Sequence, residues 1–115
     1  MCGLAGLFLP QAREHGDALA AQARDMADAL HHRGPDDGGV WMDAQAGVAL
    51  AHRRLSILDL SPLGHQPMAS VDGRYVLAYN GEVYNFAALR AALSALGHRF
   101  RGHSDTEVLL AAIAE

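Results

Sequence analysis

The chain has 115 residues, of which half are hydrophobic and 19% are charged, a balance typical of one globular domain and not of a disordered segment. Its net charge of −4 does not indicate a surface that binds nucleic acid or an anionic membrane. No apolar run approaches the ~20 residues that span a bilayer. All nine basic residues are arginine, which excludes a Schiff-base or phosphate-loop lysine. One cysteine cannot form an intramolecular disulfide, so we expect a reducing, cytoplasmic setting.

The first elements of the chain are predicted to be a buried strand and an amphipathic helix. Residues 3–9 form a short apolar run closed by Pro10. Asp17 is a plausible N-cap for a helix that ends near His31, ahead of Gly34-Pro35. Apolar residues recur in this helix at spacings of four, three and four: Leu19, Ala23, Met26 and Leu30.

Residues 32–39 read as a tight loop, followed by two strands around a turn at 43–46. The strands are predicted at 40–42 and 47–51, and the second continues through Arg53 and Arg54 to Leu58. Both faces of this second strand look apolar, so at least one of the two arginines should point into the protein. An inward arginine needs an anion beside it, which is the first indication of an acidic ligand.

The second half is predicted to contain a long loop, a hairpin and two helices. After the loop at 59–73, residues 74–79 and 82–84 read as strands joined by Asn80-Gly81, the strongest two-residue turn signal. A helix follows Asn85 and stops at Gly97, and Ser104-x-x-Glu107 is a capping box that opens a third helix. That helix reaches Glu115 without a stop signal, so we expect the chain to be a fragment.

Cys2 combines a thiol with the α-amine that removal of Met1 would leave on the same residue. An α-amine titrates near ~7.7–8 and a thiol near ~8.5, so the pair can exchange a proton around neutral pH without a histidine. The plainer alternative is a core cysteine, which is common for a lone Cys. The histidines are scattered, and no HExxH or CxxC pattern occurs, so we predict no metal site.

Six segments in order, reaching nearly end to end, make the sequence resemble the glutamine amidotransferase domain of the asparagine synthetase family (glutamine-hydrolysing, class II). Pro35-Asp36 and the Arg-Leu-Ser-Ile run favour this family over the sugar-phosphate and phosphoribosyl amidotransferases. The matching segments are Met1–Gly6, His32–Asp36, Ala51–Ile57, Gly64–Met68, Tyr79–Asn85 and Ser104–Glu107.

The resemblance implies an α+β Ntn-hydrolase fold, a four-layer αββα sandwich of two antiparallel sheets, of which this chain supplies the first half. Residues 1–115 would be the N-terminal part of the glutaminase domain, with the synthetase domain absent from this chain. No cofactor is expected in this fragment, and ATP and Mg are implied for the absent domain. The implied partners are glutamine and the chain's own C-terminal synthetase domain, and a homodimer is left open.

The resemblance also implies roles in hydrolysis of the glutamine amide. Cys2 is the nucleophile, while the Asn80 side-chain amide and the Gly81 backbone N–H form the oxyanion hole. A plain hairpin turn is the alternative for Asn80-Gly81, and the two roles are compatible. We assign no chemistry to His32, Arg33 and Asp36, only loop structure around the nucleophile.

The amino-acid end of glutamine is implied to bind two charged groups. Arg54 clamps the α-carboxylate bidentately, with Arg53 as the competing assignment. Asp105, helped by Glu82, pairs with the α-ammonium, although an acid favouring the helix dipole would suffice for Asp105. Backbone groups of four residues line the same pocket: Leu55, Ser56, Ile57 and Leu58.

Two other functions are left open by the sequence. One is a catalytically inactive binding or structural unit, since a retained Met1 would block the amine that acts as base. The other is a glutaminase that serves a different acceptor, such as a peptide or a sugar-linked carboxylate. Nothing in the 115 residues chooses the acceptor.

Overall fold

The computed structural model of the protein describes residues 2–12, 15–56 and 61–115. In chain order the strands and helices are β1 (Gly3–Phe8), α1 (Gly16–Asp28), β2 (Asp37–Asp43), β3 (Val48–Arg54), β4 (Met68–Ala69), β5 (Val76–Leu77), α2 (Phe86–Ala95) and α3 (Asp105–Ala114). Short 3₁₀ turns lie at Pro10–Ala12, His31–Arg33 and Pro62–Gly64.

The first three strands form an antiparallel sheet in the order β1-β3-β2. Helix α1 packs on one face of this sheet, and its contact is made by small and branched apolar side chains. Leu19, Ala23 and Ala27 of the helix meet Ala49 and Ala51 of β3, all buried. Alanines on both sides allow close approach of the helix, and the apolar run at 3–9 is confirmed as a strand.

Helix α1 begins two residues earlier than the sequence suggests. His15 is the N-cap, with no side-chain capping bond, and Asp17 lies in the first turn of the helix. The prediction of Asp17 as the N-cap is therefore wrong. Its carboxylate still lies where the positive end of the helix dipole favours an anion.

Strand β2 begins at Asp37, inside the segment that the sequence predicts to be a loop. Gly38 and Gly39 are paired with Arg53 and His52 of β3. A Cβ added at Gly39 would lie 2.4 Å from the carbonyl oxygen of Gln66, so this glycine permits a neighbouring loop to pack against the strand. The glycines here serve close packing and not a turn.

Strand β3 ends at Arg54, and the predicted continuation is only partly described. Leu55 and Ser56 lie outside any strand, so that part of the prediction is wrong. Ile57 and Leu58 lie outside the described residues.

The predicted hairpin at 74–84 is wrong. Strand β5 turns back instead to β4, where Met68 pairs with Leu77, and the turn between them contains Gly73 with φ of +74°. A type I′ turn needs positive φ at both central residues, yet neither Asn80 nor Gly81 has it. Residues 78–84 lie in neither a strand nor a helix.

Both predicted helices of the second half are confirmed. At the end of α2, Gly97 has φ of +100°, and the amides of Gly97 and His98 bond to the carbonyls of Ser94 and Leu93. This is a Schellman motif, in which glycine supplies the left-handed residue. At the start of α3, the Ser104 hydroxyl accepts from the amide of Glu107, which is one half of the predicted capping box. The Glu107 carboxylate accepts from the amides of Arg101 and Gly102.

The three-stranded sheet has helix α1 on one face, while its other face shows apolar side chains to solvent. Leu4 is 43% exposed and Phe8 is 70% exposed on this second face. The described residues therefore form a mixed α and β fold with two antiparallel sheets. None of their helices is both long enough and apolar enough to cross a membrane.

Candidate active site

A cavity of about 280 Å³ gathers residues from five separate parts of the chain. Its walls are Cys2 ahead of β1, the end of β3, the loop before β4, the segment 79–84 and the first turn of α3. Seven of the residues predicted for the site line it: Cys2, Arg54, Leu55, Asn80, Gly81, Glu82 and Asp105.

The pairing of β1 with β3 places Cys2 in this cavity. Gly3, the first residue of β1, pairs with Arg53, so Cys2, which precedes the strand, lies beside the end of β3. The Cys2 sulfur accepts a hydrogen bond from the Leu55 amide at 3.2 Å. The Arg33 side chain donates through Nε to the Cys2 carbonyl at 3.1 Å. The thiol and its backbone are thus both fixed by neighbouring segments.

The two adjacent arginines of β3 have different surroundings. Arg54 is only 7% exposed, lines the cavity, and donates from Nη1 to the Ser61 carbonyl at 2.8 Å. A Cβ added at Gly64 would lie 2.1 Å from Arg54 Nη2, so glycine lets the backbone pack against the guanidinium. Arg53 instead donates from Nε to the Gly34 carbonyl at 2.9 Å. The cavity therefore contains Arg54 and not Arg53.

Two carboxylates line the cavity in addition to this guanidinium. Asp105 is buried in the first turn of α3 and accepts from the Val83 amide at 2.8 Å. Glu82 is exposed at the rim. A guanidinium and two carboxylates in one cavity match the two charges of a free amino acid.

Asn80 and Gly81 are exposed residues of the segment 79–84 and line the cavity. The ring of Tyr79 folds toward Gly81, since a Cβ added there would lie 2.7 Å from the tyrosine hydroxyl. Gly81 is needed at this point for close packing and not for positive φ.

Ser56 is predicted for the site but lies outside the cavity. Its amide donates to the Asp36 carboxylate at 2.8 Å, and it borders a separate polar depression with Asp37 and His65. The other predicted lining residues, Ile57 and Leu58, lie outside the described residues.

His52 is fully buried beneath the segment 79–84, and its Nε2 lies 3.0 Å from the Tyr79 carbonyl. Burial lowers the pKa of His52, and the positive charge of Arg54 lowers it further. The bond to the carbonyl and the carboxylate of Asp37 act against this shift. The imidazole is therefore neutral at physiological pH.

Six further residues of the cavity wall were not predicted for the site, and one of them, Ser104, was predicted only as a helix cap. Gln66 and Thr106 lie in segments that matched family motifs, yet no role was assigned to them. Tyr79 and Tyr84 belong to the segment predicted as a hairpin, which assigns both to strands. The six additional lining residues are Gly64, Gln66, Tyr79, Tyr84, Ser104 and Thr106.

Comparison with known proteins identifies the class of protein that this fold and cavity represent. Residues 1–115 match the profile of a glutamine amidotransferase domain over their whole length, and the chain belongs to this family. It is similar to asparagine synthetase [glutamine-hydrolyzing] 2 of Bacillus subtilis (strain 168), at 43% identity over 110 residues and 96% of this chain. It is also similar to asparagine synthetase B [glutamine-hydrolyzing] of Escherichia coli (strain K12), at 38% identity over 115 residues and 100% of this chain.

A third relative carries a different name. Amidase chry2 of Gibberella zeae is 35% identical over 118 residues, which cover 96% of this chain. The chain spans only 14% of the length of the B. subtilis relative, 17% of the amidase and 20% of the E. coli relative. The resemblance inferred from the six sequence motifs is confirmed.

Proposed function

We propose that this chain is part of the glutaminase unit of an asparagine-synthetase-like amidotransferase. It hydrolyses glutamine to glutamate and ammonia, and the ammonia serves the ATP-dependent amidation of an acceptor carboxylate. One observation carries the proposal: a single cavity contains the Cys2 thiol, the Arg54 guanidinium, the Asp105 carboxylate and the Asn80-Gly81 dipeptide.

The groups in the cavity match the groups of glutamine. Arg54 binds the α-carboxylate, for which a guanidinium is suited because it presents parallel N–H donors. Asp105 and Glu82 bind the α-ammonium. The remaining wall, which contains Cys2, receives the carboxamide end of the side chain.

Hydrolysis begins at the Cys2 sulfur. The free α-amine of Cys2 takes the thiol proton, and the thiolate attacks the carboxamide carbon of glutamine. The amide of Leu55 donates to this sulfur at 3.2 Å and holds it in the cavity wall. The carbonyl π electrons move to oxygen, where the Asn80 side-chain amide and the Gly81 N–H stabilise the oxyanion.

Collapse of the tetrahedral adduct releases ammonia and leaves a thioester on Cys2. The α-ammonium of Cys2 supplies the proton that the departing nitrogen needs. Water then attacks the thioester carbon through a second oxyanion, and glutamate leaves as the sulfur regains its proton.

The rest of the reaction belongs to parts of the protein beyond residues 1–115. In this proposal a C-terminal synthetase domain uses ATP and Mg²⁺ to activate the acceptor, which is aspartate in the parent family. No residue of this chain is assigned to ATP, Mg²⁺ or the acceptor. The four-layer sandwich, the homodimer and the cytoplasmic location stay predictions.

The test is a substitution of Cys2→Ala in the full-length protein. We expect the loss of glutamate release and of glutamine-dependent product formation, with product formation from free ammonium salts retained. Retained ammonia use is the internal control that the synthetase domain is folded. Unchanged glutamate release by the variant contradicts the proposal.

Intact-mass measurement separates this function from an inactive binding unit. A competent chain starts at Cys2 and reacts with an N-terminal thiol–amine label. A chain that keeps Met1 and still hydrolyses glutamine would rule out the α-amine as the base.

A further inference from the structure

Both backbone polar groups of Tyr79 are bonded to side chains from other parts of the chain. The Tyr79 amide donates to Gln66 Oε1 at 2.6 Å, and the Tyr79 carbonyl lies 3.0 Å from His52 Nε2. In a β-strand, the amide and the carbonyl of this residue would bond to the backbone of a neighbouring strand. Here two side chains replace that strand and hold the residue directly before Asn80-Gly81.

The chemistry of these bonds fixes the orientation of both side chains. A backbone amide only donates, so Gln66 must present its oxygen to Tyr79 and its nitrogen to the Thr106 hydroxyl, 3.2 Å away. A carbonyl only accepts, so His52 must carry its proton on Nε2. This neutral tautomer agrees with the buried position of the imidazole and with the arginine two residues further along β3.

Burial makes these bonds difficult to replace with water. His52 is fully buried, Gln66 is 6% exposed and Thr106 is 4% exposed. Removal of either side chain would leave a backbone group of Tyr79 without its side-chain partner. We call the Tyr79 backbone, with its bonds to Gln66 and His52, the Tyr79 anchor.

The position of Asn80 and Gly81 depends on this anchor because they belong to no helix or strand. On the other side, the Val83 amide donates to the Asp105 carboxylate. Oxyanion donors must lie within ~2.7–3.1 Å of the developing charge, and a displacement of ~1 Å can reduce a rate about 100-fold. Gln66 also donates to Thr106, the neighbour of Asp105. It thus connects the segment that contains Asn80-Gly81 with the first turn of α3.

Resting on the function proposed above, we propose that Gln66 and His52 are positioning residues of the glutaminase. They hold the Tyr79 backbone from both sides and thereby set the two oxyanion donors against Cys2. Neither side chain is assigned a proton transfer in the reaction. Their effect should appear in the transition state more than in the binding of substrate.

The first test is Gln66→Met in the full-length protein, with the exposed Gln45→Met as the matched control. Methionine keeps the length of the side chain but cannot accept from the Tyr79 amide. We expect the kcat of glutamate release to fall about 10- to 100-fold while KM changes much less. The control variant should keep wild-type kcat and KM.

Two further readouts separate positioning from general loss of structure. Alkylation of Cys2 by iodoacetamide should proceed at the wild-type rate, since the nucleophile is intact. Product formation from free ammonium salts should also be unchanged. A fall in kcat matched by equal losses in both readouts would show a merely structural role and overturn the proposal.

Paired substitutions of His52 supply an independent test. His52→Leu removes the donor to the Tyr79 carbonyl and should lower kcat by a similar factor. His52→Gln can present an amide N–H in place of Nε2 and should recover most of that loss. If His52→Leu keeps wild-type kcat, or if His52→Gln is no better than a folded His52→Leu, the proposal is wrong.

The Cys2→Ala variant distinguishes failure of this inference from failure of the proposed function. If Cys2→Ala abolishes glutamate release while Gln66→Met and His52→Leu leave kcat unchanged, the glutaminase stands and the positioning role fails. If Cys2→Ala has no effect, the function itself fails.

Discussion

Arg53 and Arg54 are adjacent in β3 but have different roles because strand alternation sends them to opposite faces. Arg54 lies in the cavity with its guanidinium against Gly64, and Arg53 is bonded to the Gly34 carbonyl. The sequence could establish that one arginine points inward, since both faces of the strand look apolar. It could not choose between them, because the choice depends on which face of the sheet α1 covers.

The replacement of Arg54 by lysine should weaken glutamine binding. Lysine keeps the charge but loses the planar pair of donors, and charge-assisted hydrogen bonds contribute ~1.5–3 kcal/mol. We expect KM for glutamine in the full-length protein to rise about 10- to 100-fold, with a smaller change in kcat. The measurement is steady-state glutamate release over a range of glutamine concentrations.

Arg24→Lys on the exposed surface of α1 is the matched control for this substitution, and it should keep wild-type KM. A wild-type KM in Arg54→Lys would show that the guanidinium serves only to hold Ser61 and Gly64.

At the scale of elements, the start of α3 combines a structural cap with a carboxylate that lines the cavity. The Ser104 hydroxyl caps the helix, and the next residue is Asp105 in the cavity. The Glu107 carboxylate reaches past the cap to accept from the amides of Arg101 and Gly102. The first turn of α3 is therefore bonded to residues 101 and 102, which precede the helix, as well as to its own cap.

Ser104→Ala should lower the free energy of unfolding by ~1 kcal/mol, since an N-cap hydroxyl contributes about that amount. Chemical denaturation of the full-length protein measures the loss, within the transition that reports this domain. Ser94→Ala, exposed in α2, is the control and should leave stability unchanged or slightly raised because alanine favours helix. Equal stability of both variants would show that the cap contributes nothing.

Among the elements, a local sequence signal fails at Asn80-Gly81. Asn80-Gly81 is a strong hairpin dipeptide, yet β5 pairs with β4 and the dipeptide lies in an irregular segment. Helices α2 and α3 were predictable because a glycine stop and a serine cap act within a few residues. A hairpin also needs two strands that pair across the turn, and in this fold β5 pairs with β4 and not with residues 82–84.

At the scale of the molecule, one end of the sheet face opposite α1 carries exposed apolar side chains, while His52 and Arg54 are buried on the same face. Leu4 and Phe8 project from this face, and Phe8 is 70% exposed. A second sheet on this face would complete the sandwich that the family resemblance implies. Among the described residues, the second sheet consists only of the two-residue strands β4 and β5.

We therefore expect isolated residues 1–115 to fold poorly or to expose this face. The peptide should bind a hydrophobic dye such as ANS and lack a cooperative thermal transition. Leu4→Thr combined with Phe8→Thr should reduce dye binding, whereas Val71→Thr, also exposed but in the turn before Gly73, should not. A cooperative transition together with a well-dispersed NMR spectrum would contradict this expectation.

The sequence by itself determined β1, the two later helices, the inward arginine and the family. These depend on local periodicity, on capping residues and on motifs that can be read along the chain. Tertiary structure decided which arginine enters the cavity and how Asn80-Gly81 is presented there. The physical reason is distance along the chain: the Tyr79 backbone is held by Gln66, 13 residues away, and by His52, 27 residues away. No local pattern at Asn80-Gly81 encodes those two bonds.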